Sequence, residues 1–280
     1  MTYTPKVLPS SQSFEELVTD NSVYVDKTGI ILNLLNRNDP GPYFLARPRR
    51  FGKTVLIDTL ENIFQGDRES FEGLEISKPE HNFKWTPYPV IRINMNQVEP
   101  YPEFFDESLT TRLGACAKSH EIDISLLAPM TALSTLIENL SAKHADSLTA
   151  SSGILHKPQK NVVLLIDEYD FPLLDKIHDS AQCELIRIKL RNFYSAVKGS
   201  YKHLKLTFIT GVTKFQQVSL FSSLNTVIDL TLDSKFSEIC GFTEKEILDY
   251  YEPNLEEAIP KLISSGDLPP EATVDMLMKV

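Results

Sequence analysis

Cysteine is scarce in this chain. Cys116, Cys183 and Cys240 are far apart and odd in number. That argues against a disulfide framework and for a reducing compartment, so a cytoplasmic location is expected. No two stand at metal-ligand spacing, and buried free thiols are the plain expectation. Long apolar runs are also missing. No stretch approaches the ~18 apolar residues of a membrane span, so no membrane partner is expected. The opening Met1-Thr2-Tyr3-Thr4-Pro5-Lys6 has no apolar signal core. Positive charge is in deficit, with 28 Lys and Arg against 38 Asp and Glu and a net charge of −10. A broad nucleic-acid-binding face needs clustered Lys and Arg and is therefore disfavoured. What remains is an ordinary globular composition, 42% hydrophobic and 24% charged. The length of 280 residues suits one large α/β domain with additions, or two small ones.

The most informative segment also lacks something. Residues 46–54 read Ala-Arg-Pro-Arg-Arg-Phe-Gly-Lys-Thr. Gly52-Lys53-Thr54 is the end of a phosphate-binding loop, G-x-x-x-x-G-K-(S/T). In such loops backbone N–H groups cradle phosphates, the lysine reaches the β/γ-phosphates and the hydroxyl holds Mg²⁺. Counting back five from Gly52 gives Arg47, so the first glycine is absent. A lone Gly-Lys-Thr recurs by chance, and Lys53 alone would read as a solvated helix-start lysine. Context raises it: the apolar run Tyr43-Phe44-Leu45 precedes the loop. A helical pattern follows from Thr54 to Phe64, apolar at 56, 57, 60, 63 and 64.

A second segment agrees. Asn161-Val162-Val163-Leu164-Leu165-Ile166-Asp167-Glu168 carries five consecutive apolar residues, the mark of a buried parallel strand. Carboxylates ending such a strand sit where open α/β sheets bind ligands. Asp167 fits the metal-holding acid of a P-loop enzyme. Glu168 fits the base that orients or deprotonates the attacking water. Alone, the pair would read as a strand end reaching solvent.

The rest of the chain supplies the frame. Ser13-x-x-Glu16 has capping-box spacing, Ile30 to Leu35 reads as a short apolar helix, and residues 36–42 break it. Strands are predicted at 43–46, 89–94, 162–167, 204–211 and 226–232. Helical sequence is predicted at 101–145, split by Pro129, at 180–199, and after Thr243. Residues 145–160, small and polar, read as a surface loop. Strands separated by helices imply a parallel sheet. The expected fold class is α/β, a P-loop NTPase with a parallel five-stranded sheet sandwiched by helices. The 89–94 strand falls between the phosphate-loop and Asp-Glu strands, which marks the additional-strand class. Residues 1–40 read as an adaptor segment, 41–235 as the P-loop core and 236–280 as a C-terminal helical segment.

Further site candidates follow from position. Arg49, Arg50, Phe51, Gly52, Lys53, Thr54 and Val55 form the loop and helix start. Thr210 and Thr213 end the fourth strand, where a polar group can sense a γ-phosphate; capping of the strand end is the alternative. Asn94 is a weaker candidate of the same kind. Arg47, Arg49, Arg50, Arg187 and Arg191 are the arginines considered for transition-state charge. The four cations at 47, 49, 50 and 53 suit a nucleotide's own charge, and a patch for another anion is the alternative.

With these residues assembled, the chain resembles the bacterial and archaeal AAA-ATPase-like family, relatives of the AAA+ and STAND-type P-loop ATPases. The resembling segments are Tyr24 to Thr28, Ala46 to Thr54, Leu164 to Leu174, Phe208 to Phe215 and Ile239 to Glu244. Arg47 in place of the first glycine is part of that family's pattern. The resemblance implies an ATP-binding protein with Mg²⁺, and Mg-dependent hydrolysis coupled to conformational change. Lys53 and Glu168 would be catalytic, and Thr54 and Asp167 would hold the metal. The alternatives are a nucleotide switch with little turnover, or the ATPase module of a nucleic-acid-processing or defence protein. Members often continue into a nuclease-like domain. No convincing P-D…(D/E)-x-K set is present here, so truncation is expected. ATP is expected over GTP, since no Asn-Lys-x-Asp occurs. The implied partners are the nucleotide and a protein partner or second copy of the chain. Tyr24 to Thr28 either packs near the adenine or braces the sheet, and Asp170 is a further candidate near metal or water.

Overall fold

The computed structural model describes residues 13–20, 22–37, 41–214 and 227–274. Residues Met1–Lys6, Phe215, Thr226 and 276–280, which carry expectations above, lie outside those ranges. Five parallel strands form one sheet: Tyr43–Ala46 (β1), Val90–Asn94 (β2), Val162–Asp167 (β3), Leu204–Gly211 (β4) and Ile228–Asp229 (β5). Their spatial order is β2-β3-β4-β1-β5, and every neighbouring pair is parallel. The expected α/β architecture, a five-stranded parallel sheet flanked by helices, is therefore present. The expectation that the 89–94 strand stands between the phosphate-loop and Asp-Glu strands is corrected: it precedes β3 in sequence, but in the sheet β2 lies at the far edge beyond β3, and β4 occupies the place between β1 and β3.

Eight helices are described: Phe14–Thr19 (α1), Thr28–Leu35 (α2), Lys53–Gln65 (α3), Pro102–Ser119 (α4), Pro129–Ser152 (α5), Phe171–Asp175 (α6), Ser180–Gly199 (α7) and Glu244–Ser265 (α8). Alternation along the strands builds two apolar layers. Val162, Leu164 and Ile166 face α4, α5 and α7, joined by Leu109, Leu136, Leu140 and Phe193. Val163 and Leu165 face the other way, toward Ile57 and Leu60 of α3 and Leu34 of α2. All six residues of β3 are buried, as an apolar run covered on both faces must be.

Helix ends follow local chemistry. Ser13 caps α1 by accepting from the Glu16 N–H at 3.4 Å. Thr243 and Glu246 form a reciprocal capping box on α8. Two further expectations need correction. The small polar residues from 145 onward are helical as far as Ser152. Ala145 is buried, the Thr149 hydroxyl donates to the Ala145 carbonyl, and Gly153 ends the helix in the left-handed region at φ 70°. The surface loop therefore starts at Gly153. The fifth strand is also shorter than expected. Among the described residues only Ile228 and Asp229 pair with β1, and Leu230 closes a turn beyond them.

The stretch from Glu69 to His81 is a series of three short 3-10 turns. It packs Phe71 and Ile76 under α1 and α2. Asp26 ties these parts together. One carboxylate oxygen accepts from the Thr28 N–H and hydroxyl at 2.8 and 2.6 Å, and the other from the Glu75 N–H at 2.7 Å.

Candidate functional site

The carboxyl ends of β1, β3 and β4 converge on the loop between β1 and α3. Gly52, at φ 82°, opens α3, a conformation that costs glycine little. As N-cap it offers no side chain, and the first turn of α3 holds no acidic residue. The helix start thus presents N–H groups without a side-chain acceptor, the arrangement that favours an anion. Arg50 is also left-handed, at φ 66°.

Lys53 is buried, and its ammonium donates to the carbonyls of Arg47 and Pro48, both at 3.0 Å. Those bonds fold the loop around the cation and leave one N–H of the three. Thr54 lies on the next residue, and its hydroxyl donates to Asp167 Oδ2 at 2.8 Å. That bond joins the loop to the end of β3. A hydroxyl and a carboxylate are hard oxygen donors, which fit Mg²⁺. Among the described residues no group of three or more His, Cys, Asp or Glu could hold a metal by itself. The remaining ligands would have to come from phosphate and water, as Mg²⁺ sites commonly arrange.

Asp167 is fully buried and takes a second hydrogen bond, from the Thr210 hydroxyl. Thr210 in turn accepts from the Glu168 N–H at 3.4 Å, while its carbonyl accepts from the Tyr169 N–H at 2.9 Å. Glu168 is held at φ 53°, a strained conformation for a non-glycine residue. Its side chain lines a cleft of about 210 Å³ with Arg49, Asp170, Phe171, Leu174 and Val212. Asp170 is buried and accepts from the Thr213 N–H and hydroxyl at 2.8 and 2.9 Å and from the Val212 N–H at 3.2 Å. Thr210 and Thr213 therefore reach the site as partners of carboxylates, Asp167 and Asp170.

The arginines separate by geometry. Arg49 and Arg50 are exposed beside the loop. Arg47 turns away from it: its guanidinium donates to the carbonyls of Thr231 at 2.9 Å and of Phe236 and Ser237 at 3.3 Å. It fastens the loop to the segment after β5 and is not directed at a ligand. Arg187 pairs with Glu184 on α7. Neither it nor Arg191 lines the clefts beside the loop. Asn94 caps a turn by accepting from the Asn96 N–H.

Sequence reasoning missed most of a second cleft, about 380 Å³ in volume, on the other side of Gly52. Arg50, Phe51, Gly52, Val55 and Thr59 form one wall, Tyr24, Val25 and Lys27 another, and Ile239 to Phe242, Ile247 and Tyr251 the third. Burial pushes the Cys240 thiol up to about 12, so it stays neutral and behaves as an apolar wall. Lys27 pairs with Glu246 and closes the rim. Burial opposes the charge on Glu246, but the hydrogen bonds from Lys27 and from the Thr243 N–H outweigh it and hold the carboxyl below its usual range. Phe51 sits against Gly241, whose N–H donates to the Phe51 carbonyl at 3.0 Å. A Cβ at Gly241 would meet the Phe51 ring at 3.0 Å. For the third wall the sequence offered the Ile239–Glu244 segment of the family resemblance and the helical sequence after Thr243, and nothing local ties either to Gly52.

Residues 10–221 match the family model described as "Predicted AAA-ATPase". The chain is 31% identical over 241 residues to an "uncharacterized protein in vnfD 5'region" of Azotobacter chroococcum mcd 1. The match covers 84% of this chain and 42% of that protein, so the chain spans about two fifths of its relative. No solved structure matches.

Proposed function

The chain belongs to the predicted AAA-ATPase family, and from that premise we propose that it binds ATP with Mg²⁺ and hydrolyses it. The observation that carries this reading is the 2.8 Å hydrogen bond from Thr54 to Asp167, beside the buried Lys53. It brings together, across 113 residues, the hydroxyl and the carboxylate that a P-loop enzyme uses on its metal. β4 interposed between β1 and β3 supports the additional-strand class of that fold.

In this reading the N–H groups at the start of α3 and the Lys53 ammonium bind the phosphates. Thr54 and Asp167 hold the metal. When bound there, Mg²⁺ would supply neutralisation of the phosphate charge. Glu168 accepts the proton of the attacking water. Arg49, across the same cleft, faces the charge that develops on the transferred group. Thr210 and Asp170 keep Asp167, Glu168 and the end of β4 in register. The apolar 380 Å³ cleft takes the base. Its walls come from all three proposed segments, 1–40, 41–235 and 236–280, so the flanking segments close the site on the core. The Arg47 bonds to the Phe236 and Ser237 carbonyls and the Gly241–Phe51 bond join the loop to the C-terminal segment, which gives hydrolysis a route to a conformational change there. A client or second copy of the chain would read out that change. Among the described residues no helix is long and apolar enough to cross a membrane.

Lys53→Ala tests the site. Removing a charge-assisted hydrogen bond of about 1.5–3 kcal/mol should weaken binding of a fluorescent ATP analogue by roughly tenfold to hundredfold. Phosphate release should fall with it. Wild-type protein that binds neither ATP nor GTP analogues with Mg²⁺ would remove the nucleotide reading.

A further inference from the structure

At the amino ends of the strands the charge balance of the chain reverses. Residues 84–89, 153–161 and 198–208 hold six lysines, Lys84, Lys157, Lys160, Lys198, Lys202 and Lys205, and no Asp or Glu. The rest of the chain is therefore more acidic than its net charge of −10 indicates. All six side chains are exposed. Among the described residues none of the six forms an ion pair with a carboxylate.

The fold holds these segments together. The Lys160 N–H donates to the Lys202 carbonyl and the Asn161 N–H to the His203 carbonyl, both at 2.9 Å. Beneath them Ser141 donates to Asn161 Oδ1 at 2.6 Å, and His203 Nδ1 donates to the Pro158 carbonyl at 2.7 Å. This buried network fixes the two lysine-bearing loops side by side. The third segment joins through β2 and β3, where the Val163 N–H donates to the Pro89 carbonyl at 2.9 Å. Lys205 stands 5.7 Å from the centre of the Tyr88 ring. Lys84, Lys205, Phe83 and Tyr88 line a cleft of about 290 Å³ at the end of this row.

Helix dipoles explain only part of the row. A cation in the last turn of a helix is favoured there, and Lys198 of α7 qualifies. Lys157 and Lys160 come after α5 has ended at Ser152, and Lys202 and Lys205 after α7 has ended at Gly199. Among the described residues, Lys157, Lys160 and Lys202 on these pinned loops have no ion pair, and Lys205, at the start of β4, meets the Tyr88 ring and no carboxylate.

We propose that this face binds single-stranded nucleic acid, with the lysine row on the phosphates and a base in the Phe83–Tyr88 cleft. Unpaired cations on a fixed surface suit a repeating anion, and aromatic rings beside them suit the face of an unpaired base. The site lies at the end of the sheet opposite Asp167. It does not depend on the nucleotide reading, and the acidic remainder of the surface would restrict a polyanion to it.

The test is fluorescence anisotropy of labelled oligo-dT of about 16 nucleotides on the full chain without ATP, from about 50 to about 200 mM salt. Binding should weaken steeply with salt. The triple variant Lys157→Glu/Lys160→Glu/Lys202→Glu should bind roughly tenfold or more weakly. Lys235→Glu/Lys245→Glu/Lys261→Glu, an equal charge change beyond β5, should bind like wild type. Should the first variant fail to fold, the same three positions as glutamine replace it, with a smaller loss expected. No binding at the lower salt, or equal binding by both triple variants, would overturn the proposal. So would equal binding of a duplex, or equally good competition by polyglutamate, which would assign the face to duplex or to an acidic protein.

Discussion

Glu168→Gln should stop phosphate release while leaving nucleotide binding in place. Glu168 directly follows the buried strand β3, and its side chain opens into the same cleft as Arg49. Its backbone is over-determined: the Glu168 N–H meets the Thr210 hydroxyl, and its carbonyl accepts from Phe171 at 2.9 Å. These bonds hold a non-glycine residue at φ 53°. Strain of this kind costs about 1–3 kcal/mol and persists only where the surroundings impose it. Glutamine keeps the shape and the backbone bonds and removes only the proton acceptor. A general base contributes roughly 10²–10⁴ in rate, and release should fall by that factor. Lys53 and Thr54 are untouched, so a fluorescent ATP analogue should bind as to wild type. Unchanged phosphate release would remove Glu168 from the chemistry. Wild-type binding with no release from either protein would point to a nucleotide switch. Binding lost in Glu168→Gln as in Lys53→Ala would make Glu168 a binding residue.

Much of the frame was legible because burial writes a local pattern. β1, β3 and β4 have the bounds that their apolar runs predict, and α7 spans the expected residues. A run apolar on both faces means a covered parallel strand wherever it lies. The end of α5 was misread because serine, threonine and alanine suit a loop by composition. In the fold their hydroxyls donate to carbonyls one helical turn back, as Thr149 does to Ala145. Illegible features were those that depend on distant segments. Nothing near Arg47 announces Thr231, 184 residues away, as its acceptor. Nothing near Asp170 announces the Thr213 hydroxyl. The wall from Ile239 to Tyr251 closes on Gly52 through packing that no short window contains. The lysine row shows the same limit. A net charge summed over the chain hides a face whose three segments meet only in the folded sheet.

Gly211→Ala should be the most damaging one-carbon change near the site. A Cβ at Gly211 would stand 2.3 Å from two ring carbons of Tyr169 and 2.8 Å from Asp170 Oδ1. Neither neighbour can step aside. Tyr169 is fully buried, meets the Phe44 ring edge to face at 5.2 Å and donates its hydroxyl to the Thr213 carbonyl at 2.9 Å. Asp170 is held by Val212 and Thr213. Gly211 also pairs with Ala46, and its carbonyl accepts from the Arg47 N–H at 3.1 Å, so a shift of β4 would move the phosphate loop. Overpacking a tight interior costs about 1–3 kcal/mol, occasionally more, and the upper end is expected here. The urea midpoint should fall by the matching amount. Turnover should fall further than stability alone explains, because Tyr169 directly follows Glu168. Gly114, on α4 with open space around it, supplies the contrast. Gly114→Ala should stabilise by about 0.5–1 kcal/mol through helix propensity. If both substitutions prove neutral or stabilising, Tyr169 does not pack against Gly211, and the coupling of β4 to the Asp167–Glu168 turn fails with it.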